Sequence, residues 1–294
     1  MFSYRHAFHA GNHADVLKHA ILVHILEHMN QKPAPYWVVD THAGAGVYDL
    51  RGDWSQKKAE YENGIARLYP SSQLPPQSST GGMPDLIQRY VSAIQAFNTE
   101  GELRYYPGSP WLALQALREE DRLRLFELHP SEIEVLQKGI AHAFRGRGRQ
   151  VSVKQMDGFD AVRAVLPPPT RRGVTVIDPS YEDKQDYRRV FSAVQEGLQR
   201  FATGCFAIWY PLVQRGGVAS LTRNLERLDA VWVHATLKIS KPAADGYGMH
   251  GSGMFVVNPP WTLHAALEES LPWLASKLGQ DQHAGHTLRR SAKQ

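Results

Sequence analysis

Tyr36-Trp-Val-Val-Asp40-Thr-His42-Ala-Gly44-Ala-Gly46 is the stretch from which the fold can be read. An apolar run ends in an acid and passes into a turn of small residues with glycines two apart. Such a turn lets backbone N–H groups approach a ligand closely at the carboxyl end of a strand. Working outward, apolar runs predict strands at residues 36–40, 123–128, 150–154, 173–177, 205–209, 231–239 and 254–257. Helical spacing falls at 14–29, 57–68, 130–143, 159–165, 187–200, 217–228 and 263–278, and again from Leu86 to Phe97. Strands alternating with helices mean an α/β protein with a mostly parallel, doubly wound sheet. Residues 241–253 hold four glycines and no helical pattern, so the last two strands are expected to form an antiparallel edge pair.

Three further strands end in or near an acid, at Glu127, at Asp157-Gly158 and at Asp178-Pro179-Ser180-Tyr181. A single acid in such a place is commonly a helix N-cap. Four in series, counting Asp40, point to a ligand at the carboxyl ends of the strands. Glu127 stands where an acid hydrogen-bonds ribose hydroxyls, and Asp157 where a side chain meets an adenine edge. A dinucleotide fold is excluded because the third glycine of its fingerprint is Asp49 here.

Composition narrows the classes. The chain has 294 residues, 33 basic and 29 acidic, with 43% hydrophobic residues and one cysteine. That is ordinary for a globular protein of one or two domains and not for a disordered chain. The longest apolar run, 205–213, is far shorter than the ~18 residues a membrane span needs. The N-terminus has no apolar core of a secretory signal, so a cytoplasmic location is expected, with no membrane partner. One cysteine rules out an internal disulfide and a cysteine-rich zinc site. It also argues against C5 methylation of a pyrimidine, which needs a Cys nucleophile, since Cys205 sits in an apolar strand. A net charge of +4 permits a polyanionic partner.

In order, Asp40-x-His-x-Gly-x-Gly46, Glu127, Asp157-Gly158 and Asp178-Pro-Ser-Tyr181 resemble the motifs of class I S-adenosylmethionine-dependent methyltransferases. The last is similar to the [Asp/Asn]-Pro-Pro-[aromatic] motif of members that methylate amines. Residues 3–19, together with 40–46 and Tyr105-Tyr-Pro-Gly-Ser-Pro110, closely resemble the J-type bacterial 23S ribosomal RNA adenine-N6 methyltransferases. The resemblance implies a Rossmann-like sheet of seven strands with a small helical insertion. It implies S-adenosylmethionine as cofactor, S-adenosylhomocysteine as product, 23S ribosomal RNA as partner, and a monomer. It further implies that His19, Asp40, His42, Gly44, Ser109, Glu127, Asp157, Gly158 and Asp178 hold the cofactor. Asp178, Pro179 and Tyr181 would carry the chemistry, and Tyr4, His6 and Lys18 would meet substrate RNA.

Gly46 and Glu127 stand 81 positions apart, far more than one crossover helix needs. The domains expected are therefore 1–48, the N-terminal motif and start of the methyltransferase domain; 49–102, the helical insertion, serving RNA; and 103–280, the remainder. A flexible tail follows at 281–294. A linker is read at residues 71–84, rich in Ser, Pro, Gln and Gly.

Several features compete with this reading. Ser180 replaces the usual second proline, which would stiffen the loop. Asn258-Pro-Pro-Trp261 matches the amine motif more closely but follows the last of the expected strands, on the edge half of the sheet away from the cofactor's methyl, and is expected to be a turn. His9 and His13 are four apart, yet no third ligand follows, so no metal is expected. Basic residues recur at 145–149, 171–172, 188–189 and 289–290 and, with Tyr4, Phe8 and Tyr181, suggest an RNA-binding face. The alternatives are a DNA adenine methyltransferase and a non-catalytic RNA-binding protein with a degenerate pocket.

Overall fold

The computed structural model describes residues 4–70, 82–143, 150–214 and 216–292. Residues 71–81 of the expected linker and the basic run at 145–149 lie outside them.

The elements follow in chain order. They begin with α1 (His13–Asn30), β1 (Trp37–Asp40), β2 (Val47–Asp49), α2 (Asp53–Lys58), α3 (Asp85–Phe97), β3 (Tyr105–Pro107) and α4 (Ser109–Ala116). Next come β4 (Arg122–Glu127), α5 (Pro130–Ala143), β5 (Val151–Gln155), α6 (Gly158–Val165), β6 (Gly173–Ile177) and α7 (Asp186–Arg200). The chain closes with β7 (Cys205–Leu212), α8 (Val218–Glu226), β8 (Trp232–Lys238), β9 (Gly251–Val257), α9 (Leu263–Leu278) and β10 (Gly285–Arg290).

The main sheet has the order β10-β8-β9-β7-β6-β1-β4-β5. From β5 across to β7 all pairs are parallel, and β9, β8 and β10 are added antiparallel. The chain winds outward from β1 through β4 to β5, then returns to β6 on the other side of β1. The reversal between β1 and β6 leaves a crevice at their carboxyl ends, where such sheets bind ligands. Alternate residues of each strand enter two apolar cores. Val38, Leu125, Val176 and Ala207 lie under α1, α4 and α9. Val39, Phe126, Ile177 and Ile208 lie under α6, α7 and α8. Burial on both faces is why these strands read as continuous apolar runs.

Asn12 caps α1, its Oδ1 accepting from the amides of Ala14 (2.9 Å) and Asp15 (3.0 Å). Every residue from His13 to Leu26 is buried. The helix lies on β7 and β9 and is covered by α3, α4 and α9. Its polar residues Asp15, Lys18 and His19 are thereby held inside the molecule.

Three expectations change. The sheet has eight strands, not seven, because Gly285–Arg290 of the expected flexible tail pairs along β8. A polar strand pairing on one side only carries little apolar signal. The helix expected at 57–68 is broken: α2 ends at Ala59 in a left-handed conformation (φ 46°), and two short 3-10 turns follow. The insertion is helical, framed by the antiparallel pair β2–β3. Its Ile65, Leu68, Leu86, Ile87, Tyr90 and Ile94 belong to the same apolar core as α1, so its described residues form no separate core.

Candidate active site

The glycine turn after β1 bends over the sheet's carboxyl edge. Gly44 has a left-handed φ of 58°, and a Cβ there would stand 2.5 Å from the Tyr48 hydroxyl. Gly158 opens α6 so near the turn that a Cβ would fall 1.9 Å from the carbonyl oxygen of Thr41. Both positions therefore require glycine. A cavity of about 750 Å³ opens beside the turn, lined among others by His19, His42, Gly44, Ser109, Glu127, Gly158 and Asp178. That size suits a small-molecule site.

The strand-end acids have different surroundings. Asp40 does not line the cavity; it is buried behind the turn, where its Oδ1 accepts from the His42 amide (3.2 Å). Burial raises its carboxyl to about 6, against the hydrogen bonds from Ser109 and the His42 amide. Glu127 faces the cavity, and its two oxygens accept from the amides of Gly44 (2.8 Å) and His129 (2.7 Å). Burial raises its carboxyl too. A carboxylate has about four acceptor positions, so acceptor capacity remains for a hydroxyl group. Asp157 lines the cavity but caps α6 through Phe159 N–H (2.9 Å) and pairs with Arg189 (2.6 Å). The ordinary N-cap reading therefore holds for Asp157.

His19 hydrogen-bonds through Nδ1 to the Tyr106 hydroxyl (2.7 Å), which reaches Tyr90 of α3 (3.0 Å). Its buried Nε2 has no partner among the described residues. Burial lowers its pKa to about 3, so the ring is neutral near pH 7. His42 is likewise lowered to about 4 by burial, and its ring meets Phe159 edge-on at 5.1 Å.

Asp178 ends β6 at the meeting of this cavity with a second of about 510 Å³. Tyr4, His6, Lys18, Asp178 and Ser180 line both, while Tyr181, Tyr187, Trp209, Tyr247 and Met249 line only the second. The Lys18 ammonium bridges Asp178 and Asp15, the latter at 2.9 Å. Burial alone would lower the Lys18 pKa, but the two carboxylates raise it above its usual value. Asp15 also accepts from His6 (2.9 Å) and the Gly11 amide (2.9 Å). Despite its burial, His6 and Lys18 hold its carboxyl well below the usual range. The Tyr4 hydroxyl meets His6 Nδ1 at 2.9 Å. Tyr181 is left-handed (φ 55°), with its hydroxyl donating to the Trp209 carbonyl (2.7 Å) and its ring 4.6 Å from Tyr187.

The structure thus gathers Tyr4, His6, Lys18, His19, His42, Gly44, Ser109, Glu127, Asp157, Gly158, Asp178 and Pro179 around one cavity. Tyr181 stands on the adjoining one, and only Asp40 stands behind the wall. Sequence reasoning missed Tyr48 and Trp209, which stand in no motif, and it named the stretches holding Tyr106 and Arg189 without assigning those side chains a place at the site. Asn258 is at the opposite end of the sheet. Val257 pairs with Phe206 near the start of β7, and Asn258 donates to the carbonyls of Ala202 (2.8 Å) and Gly204 (2.9 Å). Of the basic pairs, Arg172 reaches the backbone carbonyls of Met29 and Ala34, and Arg289 pairs with Glu226 (2.6 Å). These two serve the fold. Among the described residues, no cluster of three metal-ligating side chains occurs, and no helix is long and apolar enough to cross a membrane.

Residues 33–290 match the family described as ribosomal RNA large subunit methyltransferase D, RlmJ. The chain belongs to this family. It is 44% identical to the ribosomal RNA large subunit methyltransferase J of Escherichia coli (strain K12), over 95% of this chain and 94% of that one. The corresponding protein of Haemophilus influenzae is 45% identical over the same shares of the two chains. Among solved structures, protein LPL1258 from Legionella pneumophila superposes with a TM-score of 0.84 at 32% identity, covering 97% of this chain and 99% of that one. The family match spans the glycine turn, all the strand-end acids and Asp178, whereas Tyr4, His6, Lys18 and His19 precede it.

Proposed function

We propose that the protein is an S-adenosylmethionine-dependent methyltransferase acting on N6 of an adenine in large-subunit ribosomal RNA, in the cytoplasm. The observation that carries this reading is the position of Asp178 on the shared wall of two cavities, one suited to a cofactor and one lined by aromatic rings. The ribosomal RNA comes from the relatives, which are ribosomal RNA large subunit methyltransferases.

The first cavity fits S-adenosylmethionine. The glycine turn lets the backbone come close to a ligand, Glu127 keeps acceptor capacity for a ribose hydroxyl, and His19 Nε2 is buried without a partner among the described residues. When bound, that cofactor supplies an electrophilic sulfonium methyl group. The second cavity takes the target base, which must leave its helix to enter. At the seam of the two cavities, the Asp178 carboxylate and the carbonyl of Pro179, which lines the first, accept hydrogen bonds from the two N6 protons. The adenine amine is a poor nucleophile because its lone pair is delocalised into the ring. Two acceptors on its protons localise that pair and aim it at the methyl group, a positioning effect. The Lys18 ammonium fixes the orientation of the Asp178 carboxylate, which accepts the proton released. Tyr181 offers a ring for the base to lie against.

The test is methyl transfer to a large-subunit ribosomal RNA transcript, with the product nucleosides identified by mass spectrometry. One N6-methyladenosine per transcript is expected, and the same nucleoside should be missing from ribosomal RNA of cells lacking the protein. Transfer to a DNA hairpin but not to RNA would favour the DNA alternative. Absence of cofactor binding by calorimetry would leave a non-catalytic RNA binder.

A further inference from the structure

The N-terminal segment has two sides. Tyr4, His6 and His9 line the second cavity, while Arg5 and Phe8 turn toward α2 of the insertion. From the cavity wall a run of ring contacts leads outward. Tyr4 stacks on His9 with centroids 5.6 Å apart and planes 8° from parallel. His9 meets Phe8 at 6.5 Å, and Phe8 meets Trp54 edge-on at 5.0 Å. The run ends at the surface, where Trp54 is 44% exposed. Cations surround its outer end. The Arg5 guanidinium lies 4.9 Å and the Lys57 ammonium 4.7 Å from the Trp54 ring, and the Lys58 ammonium lies 5.8 Å from the Phe8 ring. The Ser55 hydroxyl donates to the Ala7 carbonyl (3.1 Å), tying the helix that carries Trp54 to the segment that walls the cavity.

We propose that Trp54, flanked by Arg5, Lys57 and Phe8, is a stacking platform for an unpaired RNA base next to the target nucleotide. The inference rests on the reading above of an RNA substrate and adds where the flanking strand goes. Exposed aromatic rings between basic side chains are how proteins hold single-stranded nucleic acid: the π-face takes any base, and the cations meet the phosphates. A target base drawn into the second cavity leaves its neighbours unstacked at the rim, and the ring run starts on that rim. The positive charge around Trp54 selects a polyanion over an apolar peptide. The platform also gives the insertion a part in RNA binding through one helix, although its core is shared with the rest of the molecule.

The test compares wild type, Trp54→Ala, Trp54→Phe and Lys57→Gln in two assays. One is fluorescence anisotropy with a labelled single-stranded oligoadenylate. The other is steady-state methylation of the large-subunit transcript. Trp54→Ala should bind the oligonucleotide roughly tenfold more weakly. It should raise KM for the transcript by a similar factor, with S-adenosylmethionine affinity unchanged. Trp54→Phe should recover most of the loss. Lys57→Gln should reduce the slope of log affinity against log salt by roughly 0.7, the loss of one phosphate contact on a single strand. The platform is overturned if wild type methylates the transcript and Trp54→Ala does so with unchanged KM and anisotropy. It is also overturned if Trp54→Ala loses cofactor affinity in parallel with RNA affinity, which would mark a structural role. Failure of wild type to methylate RNA at all would instead remove the functional reading on which the platform stands.

Discussion

Replacing Asp178 by Ala and Asn258 by Ala separates the two proline motifs by their physics. Asp178 is joined to the Lys18 ammonium at the seam of the two cavities. Its loss removes a charged acceptor at the reacting amine, and one well-aligned electrostatic group is typically worth about 10²–10³ in rate. Asn258 acts on the opposite edge, holding two backbone carbonyls from a left-handed conformation (φ 49°). Alanine there forfeits two hydrogen bonds, worth about 1 kcal/mol each, and adds about 1–2 kcal/mol of left-handed strain. The expected loss is therefore roughly 2–4 kcal/mol of stability, with single-turnover methyl transfer within about threefold of wild type. Circular dichroism and calorimetry with S-adenosylmethionine should first show that both variants fold and bind cofactor. Near-wild-type transfer by Asp178→Ala, with Asn258→Ala folded but inactive, would refute the assignment and move the active site to the other end of the sheet.

Glu127→Ala should weaken S-adenosylmethionine binding by about one to two decades, since hydrogen bonds to a charged group are worth roughly 1.5–3 kcal/mol; unchanged affinity in calorimetry would remove Glu127 from the cofactor site. Tyr90→Phe deletes the hydroxyl that supports Tyr106 and, through it, His19. Cofactor affinity should fall about two- to tenfold with the fold intact, and an unchanged value would uncouple the insertion from the cofactor wall. Replacing residues 59–98 by a short linker should abolish cooperative unfolding, because α1 loses its apolar cover; a shortened protein that still melts sharply and binds cofactor would show the insertion to be separable. Acid should destabilise the protein between about pH 6.5 and 4. The buried rings of His13 and His24 are lowered to about 4 and that of His19 to about 3, chiefly by burial. Below pH 6.5 the unfolded chain takes up protons that these rings refuse, so stability is complete above that value and lost as pH falls through the folded values. The rings of His42 and His234, lowered to about 4 by burial, act in the same sense. Asp40, raised to about 6, and Glu127 and Asp186, also raised by burial, have the opposite sign but are fewer. A melting temperature that rose from pH 6.5 to 4.5 would contradict this.

The sheet was legible because its strands are buried on both faces and so stand out as short apolar runs separated by helical spacing. That Glu127 and Asp178 would line a crevice was legible for a related reason: the carboxyl end of a parallel strand is where the chain leaves one layer for the next, and ligands bind there. Asp157 shows the limit of that logic. It lines the cavity, but its oxygens are engaged by the α6 amide and by Arg189, a residue on α7 that no local pattern connects to it. Asp40 shows another: its carboxylate turns back to the His42 amide behind the turn, and spacing does not record which way a side chain turns. Ala59 escaped notice because a left-handed alanine has no sequence signature, unlike the left-handed glycines at 11, 44 and 46. The ring relay from Tyr90 through Tyr106 to His19 joins residues 16 and 87 positions apart. Only the packed fold brings them together.

The last strand has a consequence for solubility. Without β10, the apolar strand β8 would end the sheet with a bare row of amide and carbonyl groups, an invitation to pair with a strand of another molecule. With β10 in place, the outermost strand is instead Gly-His-Thr-Leu-Arg-Arg, half of whose side chains are basic or imidazole. Two copies approaching edge to edge in parallel register would set Arg289 and Arg290 against their own counterparts, and an antiparallel approach would set Arg289 near His286. The segment that looked dispensable is thus the part of the chain that keeps one sheet from becoming the template for another.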